Sequence, residues 1–184
     1  MKFIKTEISE VIIIEPTVFG DDRGYFLESY NKKAFEENIG SVNFVQDNES
    51  KSSKGVLRGL HFQKPPFAQA KLVRCIEGSV LDVAVDIRKG SPTYGKHVTV
   101  KLSGENKRQL FVPRGFAHGF AVLSETAIFA YKVDNTYAPE HDAGIKYDDK
   151  ELNIDWGITE EEIQLSEKDK NLSFFKDLDS PFKF

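Results

Sequence analysis

Apolar and polar positions along the chain alternate in short runs between Gly, Pro, Asn and Asp breaks, the texture of an antiparallel sandwich or barrel. Ten runs are predicted as strands: residues 11–19, 24–30, 44–48, 55–63, 70–76, 80–88, 97–102, 109–112, 117–123 and 126–136. In residues 97–102 apolar side chains alternate strictly with others, as in a strand with one wet face. Residues 80–86 are more uniformly apolar and read as a central strand. Turns are marked at Glu77-Gly78, Gly90-Ser91-Pro92, Gly104-Glu105-Asn106 and Pro113-Arg114-Gly115, and no strand-helix-strand alternation is present. A short helix is predicted over residues 32–38, with Asn31 as N-cap and Gly40 just beyond its end. Another is expected to start near Thr159, where Thr159-Glu160-Glu161-Glu162 resembles a capping box. The tail after Ile154 is polar and helical or irregular, and is expected to wrap on the barrel.

Composition narrows the function classes. At 184 residues the chain fits a single domain, 1–184, with about 155–184 as the C-terminal segment packed on the barrel. A net charge of −4 and a pI near 5.6 leave no general attraction to nucleic acid or anionic lipid. No apolar run approaches the ~20 residues that cross a bilayer. The first ten residues carry two lysines and two glutamates without a signal-peptide core, so a cytoplasmic location is expected. Cys75 is the only cysteine, which excludes an internal disulfide and a cysteine metal cluster. Its neighbours Val73 and Ile76 favour a buried packing role over a reactive one. Fifteen Phe, six Tyr and one Trp are enough both to fill a core and to leave some aromatic rings for stacking.

Candidate chemistry gathers in a few segments. In Gly55-Val56-Leu57-Arg58-Gly59-Leu60-His61-Phe62-Gln63, Arg58 and His61 fall on opposite faces of a regular strand unless it kinks between them, and Gly59 can supply the kink. His61 is the side chain type best suited to accept a proton near neutral pH, although a hydrogen-bonded structural histidine is the plainer alternative. His118 follows the Pro113-Arg114-Gly115 turn, as in the second metal-binding motif of the cupins. Their first motif, a His-x-His pair followed by a carboxylate, is incomplete here, because Phe62 and Gln63 follow His61. No catalytic metal is therefore expected. His97 and His141 read as surface residues. Lys71, Arg74 and Lys132 interrupt apolar runs and read by default as solvent-facing; Tyr131 fits either half-buried core or a proton donor. Asp169 reads alone as surface charge, or as a carboxylate able to orient a histidine.

Taken together, the motifs Phe19-Gly20-Asp21-Asp22-Arg23-Gly24-Tyr25-Phe26-Leu27-Glu28, Phe44-Val45-Gln46-Asp47-Asn48-Glu49-Ser50, residues 56–63, Lys71-Leu72-Val73-Arg74, residues 82–88 and residues 112–120 closely resemble the dTDP-4-dehydrorhamnose 3,5-epimerase family, in matching order over residues 12–169. The resemblance implies a jelly-roll, cupin-like fold that is mainly β with a few short peripheral helices, a homodimer, and epimerisation of dTDP-4-dehydro-6-deoxy-D-glucose at C3 and C5 without metal or organic cofactor. It assigns His61 as general base, Asp169 as its orienting carboxylate, Tyr131 as the group returning a proton from the opposite face, and Lys71 beside the C4 oxygen. His118 belongs to the same pocket lining. Arg23 and Arg58 match phosphate-contacting arginines, with Lys168 adding charge. Glu28, Gln46 and Asn48 match nucleotide-contacting positions, Tyr137 the aromatic that stacks on thymine, and Phe19 and Phe26 close the apolar side. Asp142 stands where related sequences often carry a glutamate that contacts the nucleotide. The competing expectations are a mono-epimerase acting at C3 or C5 alone on a related sugar, a ketoisomerase of similar barrel fold, a noncatalytic carbohydrate-binding barrel, and a metal-dependent cupin oxygenase.

Overall fold

The alternation of short runs becomes thirteen strands and two short α-helices in a computed structural model that describes residues 1–184. One sheet has the order β1 (Lys2–Lys5), β2 (Ile12–Glu15), β10 (Gln109–Val112), β7 (Lys71–Glu77), β12 (Thr126–Val133), β5 (Gln46–Ser53). The second runs β13 (Asp142–Gly144), β6 (Leu57–Gln63), β11 (Phe116–Val122), β8 (Ser79–Asp86), β9 (His97–Ser103). β3 (Val18–Asp21) and β4 (Gly24–Leu27) form a separate hairpin. Neighbouring strands pair antiparallel in both sheets, and the sheets face each other as a jelly roll.

Differences from the sequence pattern have local causes. The run 11–19 divides at Pro16, whose missing N–H cannot join a ladder, so β2 enters the sheet and β3 the hairpin. The run 44–48 becomes the longer β5, a polar strand that pairs residue by residue with β12 from Val133↔Gln46 to Thr126↔Ser53. β1 and β13 carry too few apolar positions to register as periodic. The helix α1 (Lys32–Asn38) forms as expected, with Asn31 Oδ1 accepting from the Ala34 N–H at 3.1 Å. The Thr159 signal gives only one 3₁₀ turn, Glu160–Glu162, in which the Thr159 N–H donates to Glu162 Oε2. The second α-helix, α2 (Glu167–Lys170), is capped instead by Ser166.

Three apolar layers hold the sandwich. Between the sheets, Val73, Leu110 and Phe129 of the first pack on Ala84, Val100 and Phe120 of the second. Outside the first sheet, Phe35 of α1 covers Ile12, Ile14, Leu72 and Phe111. Outside the second, Leu57, Val83, Val85 and Ala121 are covered by Ile145, Leu152, Trp156 and Phe175, so the segment after β13 and the C-terminal tail together seal that face. Burial on both faces explains the near-continuous apolar run of β8. At about 25 cal/mol per Å² of apolar area removed from water, these layers are the main favourable contribution to folding.

Side-chain alternation then sets the inner face. Val73 and Cys75 of β7 point inward, so Lys71 does too; Ala127 and Phe129 place Tyr131 inward on β12; Phe116 and Phe120 place His118 inward on β11. Arg74 and Lys132 have the opposite parity, and Lys132 forms an ion pair with Asp47 at 2.8 Å. Cys75 is buried and free, and burial pushes its thiol up to about 11.

Candidate functional site

The inward-facing polar residues gather in a cavity of about 530 Å³, lined by Arg58, His61, Lys71, His118, Tyr131, Lys168 and Asp169 among others. Arg58 and His61 share this face because β6 carries one extra residue against β11: His118 pairs with His61, but Phe120 pairs with Arg58. That bulge restores both side chains to the interior. Gly59 makes it with φ +128, and a Cβ there would sit 2.5 Å from Gly119 Cα, so the position demands glycine.

Across the cavity from the sheet, α2 delivers a carboxylate to His61. His61 Nε2 lies 2.5 Å from Asp169 Oδ1, and Asp169 is 3% exposed. Ser166 donates to Asp169 Oδ2 at 2.9 Å while accepting from the Asp169 N–H, so one N-cap serine fixes both the turn and the carboxylate. Burial alone would raise the Asp169 carboxyl, but the hydrogen bond and charge of His61, together with Ser166 and Lys168, outweigh it and hold the pKa below the ordinary aspartate value. A carboxylate so held fixes the imidazole orientation and leaves Nδ1, which bonds to nothing in the chain, to act as a base.

Lys71 and Tyr131 stand on adjacent strands, with Val133 opposite Lys71 and Tyr131 opposite Val73. Lys71 is half-buried along its length, yet desolvation pushes its pKa down to about 8, against the pull of Asp142 and Asp82 and with the push of Lys168. At pH 7 about nine-tenths of it is charged. Burial raises the Tyr131 hydroxyl above its ordinary value, Arg58 draws it back, and Asp142 and Tyr137 add to the rise, so it stays a proton donor at neutral pH. His118 gives Nε2 to both oxygens of the fully buried Asp82, at 3.0 Å each.

Arg58 has no carboxylate partner; it donates only to Ser52 Oγ, at 3.3 and 3.2 Å, leaving guanidinium N–H groups for an anion. A side cavity of about 300 Å³ shares His61, Lys71 and Tyr131 and adds Gln46, Asn48, Tyr137 and Asp142. The segment carrying Tyr137 is tied to β6 by Gln63, which accepts from the Ala138 N–H at 2.7 Å and donates to the Thr136 carbonyl at 3.1 Å. Asp142 accepts from the Tyr137 hydroxyl at 3.0 Å and from the Lys168 ammonium.

The chain thus brings together His61, Tyr131, Asp169, Lys71, Arg58, His118 and Lys168, with Gln46, Asn48, Tyr137 and Asp142 next door. It does not bring Arg23, Phe19, Phe26 or Glu28 there. Phe19 and Phe26 are 62% and 65% exposed on the β3–β4 hairpin, Arg23 turns back onto Asp21 at 2.5 Å, and Glu28 is exposed beyond β4. His141 packs on Phe67 at 4.7 Å, and His97 is half-buried at the start of β9, rather than a surface residue. Sequence reasoning passed over Asp82, Ser166, Ser52 and Gln63. An acid inside an otherwise apolar central strand was the available signal for Asp82, and the Ser-x-x-Asp spacing for Ser166.

Comparison with known proteins gives a consistent result. Residues 5–177 match the family model described as dTDP-4-dehydrorhamnose 3,5-epimerase. The chain is 59% identical over 180 residues to the dTDP-4-dehydrorhamnose 3,5-epimerase of Shigella flexneri, covering 97% of this chain and 98% of that one. Among solved structures, a dTDP-6-deoxy-D-glucose-3,5-epimerase from Legionella pneumophila in complex with dTDP-4-keto-L-rhamnose superposes with TM-score 0.96 at 51% identity, covering 100% of this chain and 98% of that one. A 3'-monoepimerase from Streptomyces bikiniensis in complex with dTDP-quinovose superposes with TM-score 0.87 at 30% identity, over 93% and 86% of the two chains.

Proposed function

Since the chain belongs to the dTDP-4-dehydrorhamnose 3,5-epimerase family, we propose that it inverts C3 and C5 of dTDP-4-dehydro-6-deoxy-D-glucose, giving dTDP-4-dehydro-L-rhamnose for rhamnose biosynthesis, with His61 and Tyr131 as the opposed proton carriers. The observation that carries this reading is the His61–Asp169 contact at 2.5 Å inside a cavity that also holds Lys71 and Tyr131. Similarity to double epimerases at 59% and 51% identity, against 30% to the mono-epimerase, supports inversion at both carbons.

Both hydrogens flank the C4 carbonyl, so removal of either one sends the bonding pair onto the same oxygen. His61 takes the proton as general base, with Asp169 stabilising the resulting imidazolium as a positioning residue. Lys71 offers a positive charge to the enolate oxygen, and His118 adds a second polar wall. Inversion then requires a proton from the other face. Tyr131, protonated at neutral pH, supplies it and recovers its own from water, while the His61 imidazolium releases the abstracted proton to water and is ready for the second carbon. Arg58 and Lys168 hold the diphosphate, and Gln46, Asn48 and Tyr137 receive the nucleoside.

Tyr131→Phe separates abstraction from inversion. In deuterated water this variant is expected to exchange substrate hydrogens through His61 while forming L-configured product at least about a hundredfold more slowly, read by proton NMR. Inversion at the wild-type rate would remove Tyr131 from the role.

The chain forms a homodimer in this account, because Phe19, Phe26 and Arg23 match substrate-contacting positions yet project from an exposed hairpin, Arg23 with an 89% exposed side chain. A second copy that receives this hairpin covers the two rings and completes its pocket. Phe19→Ser combined with Phe26→Ser is expected to halve the sedimenting mass and raise the sugar-nucleotide KM about tenfold. A fully active wild-type monomer would contradict it. The same reading takes residues 1–184 as one domain whose tail supplies Asp169, and places it in the cytoplasm with its nucleotide-sugar substrate; no helix is long and apolar enough to cross a membrane.

A further inference from the structure

Two cations line the cavity in different circumstances. Arg58 is bonded only to a serine hydroxyl and stands ready for an anion. Lys168, in the same cavity wall, already has one: its ammonium is held by Asp142, whose side chain is 11% exposed and opens on the side cavity. The same Asp142 oxygen accepts the Tyr137 hydroxyl at 3.0 Å. A carboxylate this enclosed needs a countercharge, whereas the lysine, with a 48% exposed side chain and a flexible four-carbon stem, can turn away without moving α2. When it turns, Asp142 keeps the Tyr137 hydrogen bond and the attraction of the Lys71 ammonium.

We propose that Asp142 is a displaceable counter-ion: it stores Lys168 in the free protein, and the phosphate groups of a nucleoside diphosphate take Lys168 from it on binding. This deepens the substrate assignment above and rests on it. The role differs from a direct contact between residue 142 and the nucleotide, and it carries the opposite sign. A direct contact strengthens binding, while a stored ion pair is a competitor that the ligand must displace.

The test is calorimetric titration of the full-length protein with dTDP at low ionic strength. Asp142→Asn is expected to bind dTDP about three- to fivefold more tightly than wild type, the size of a half-exposed ion pair, and to lower the sugar-nucleotide KM in parallel. In a Lys168→Gln background the Asp142→Asn gain disappears, because no pair remains to break. Asp142→Ser is measured beside it, so that a folding defect in one variant leaves the other to decide. Weaker or unchanged dTDP binding in folded variants overturns the proposal, as does a gain of equal size without Lys168. If wild type binds no dTDP, the substrate assignment falls with it; if wild type binds and the variants show no gain, only the counter-ion role falls.

Discussion

Replacing His61 with Ala is expected to lower kcat about a thousandfold while leaving the sugar-nucleotide KM within about threefold. The size follows from the loss of a positioned general base, worth about 10² to 10⁴. The unchanged KM follows if the nucleotide portion is held, as proposed, by Arg58 and Lys168, which line the same cavity as the imidazole but make no hydrogen bond to it. Asp169→Asn leaves His61 in place but removes the charge that fixes the ring and stabilises its protonated form. About a hundredfold loss in kcat is expected, again with little change in KM. Ser166→Ala costs less, because it removes one hydrogen bond to Asp169 Oδ2 and an N-cap worth about 1 kcal/mol. Steady-state kinetics on the three variants checks the order. A His61→Ala enzyme within tenfold of wild type would exclude His61 as the base.

Lys71→Met is expected to cost about 10² to 10³ in kcat, the usual value of one preorganised donor at a developing oxyanion. Its charge also predicts a pH dependence. Desolvation brings the Lys71 pKa down to about 8, so the ammonium is present below that pH and lost above it. The kcat/KM profile of wild type therefore falls on its alkaline side with a midpoint near 8, because kcat/KM reports the groups of the free enzyme. Lys71→Arg keeps a charge that does not titrate in this range, so its profile stays flat through pH 9 even if its rate is low. A wild-type profile flat to pH 9.5, or one whose alkaline limb survives in Lys71→Arg, would take the enolate role from this lysine.

Much of this arrangement is legible in the sequence, and what is not has physical reasons. The helix at Lys32–Asn38 follows from its Asn cap and Gly40 exit, and β8 from a run apolar on both faces. β5 begins after the apolar Phe44-Val45 pair and runs on to Ser53 because a polar strand is stabilised by its partner, and no periodic apolar signal marks Gln46–Ser53. Reading Arg58 and His61 on one face required the bulge that Gly59 permits. Lys71 interrupts an apolar run as a solvent-facing lysine does, but alternation with Val73 and Cys75 turns it inward, while Arg74 and Lys132 have the opposite parity. Asp169 is paired with His61 only through the family resemblance, because spacing cannot join residues 108 positions apart. The hairpin is the reverse case: the family resemblance implies substrate contacts for Phe19, Arg23 and Phe26, and the chain alone does not place them at its own cavity.

The measurement that bears most directly on the central claim is proton NMR of dTDP-4-dehydro-6-deoxy-D-glucose incubated with the protein in deuterated water. Deuterium entering both C3 and C5 as the L-sugar forms, with both signals lost in His61→Ala, is the predicted result. Exchange at only one carbon, or none in folded protein that binds the sugar nucleotide, would contradict it.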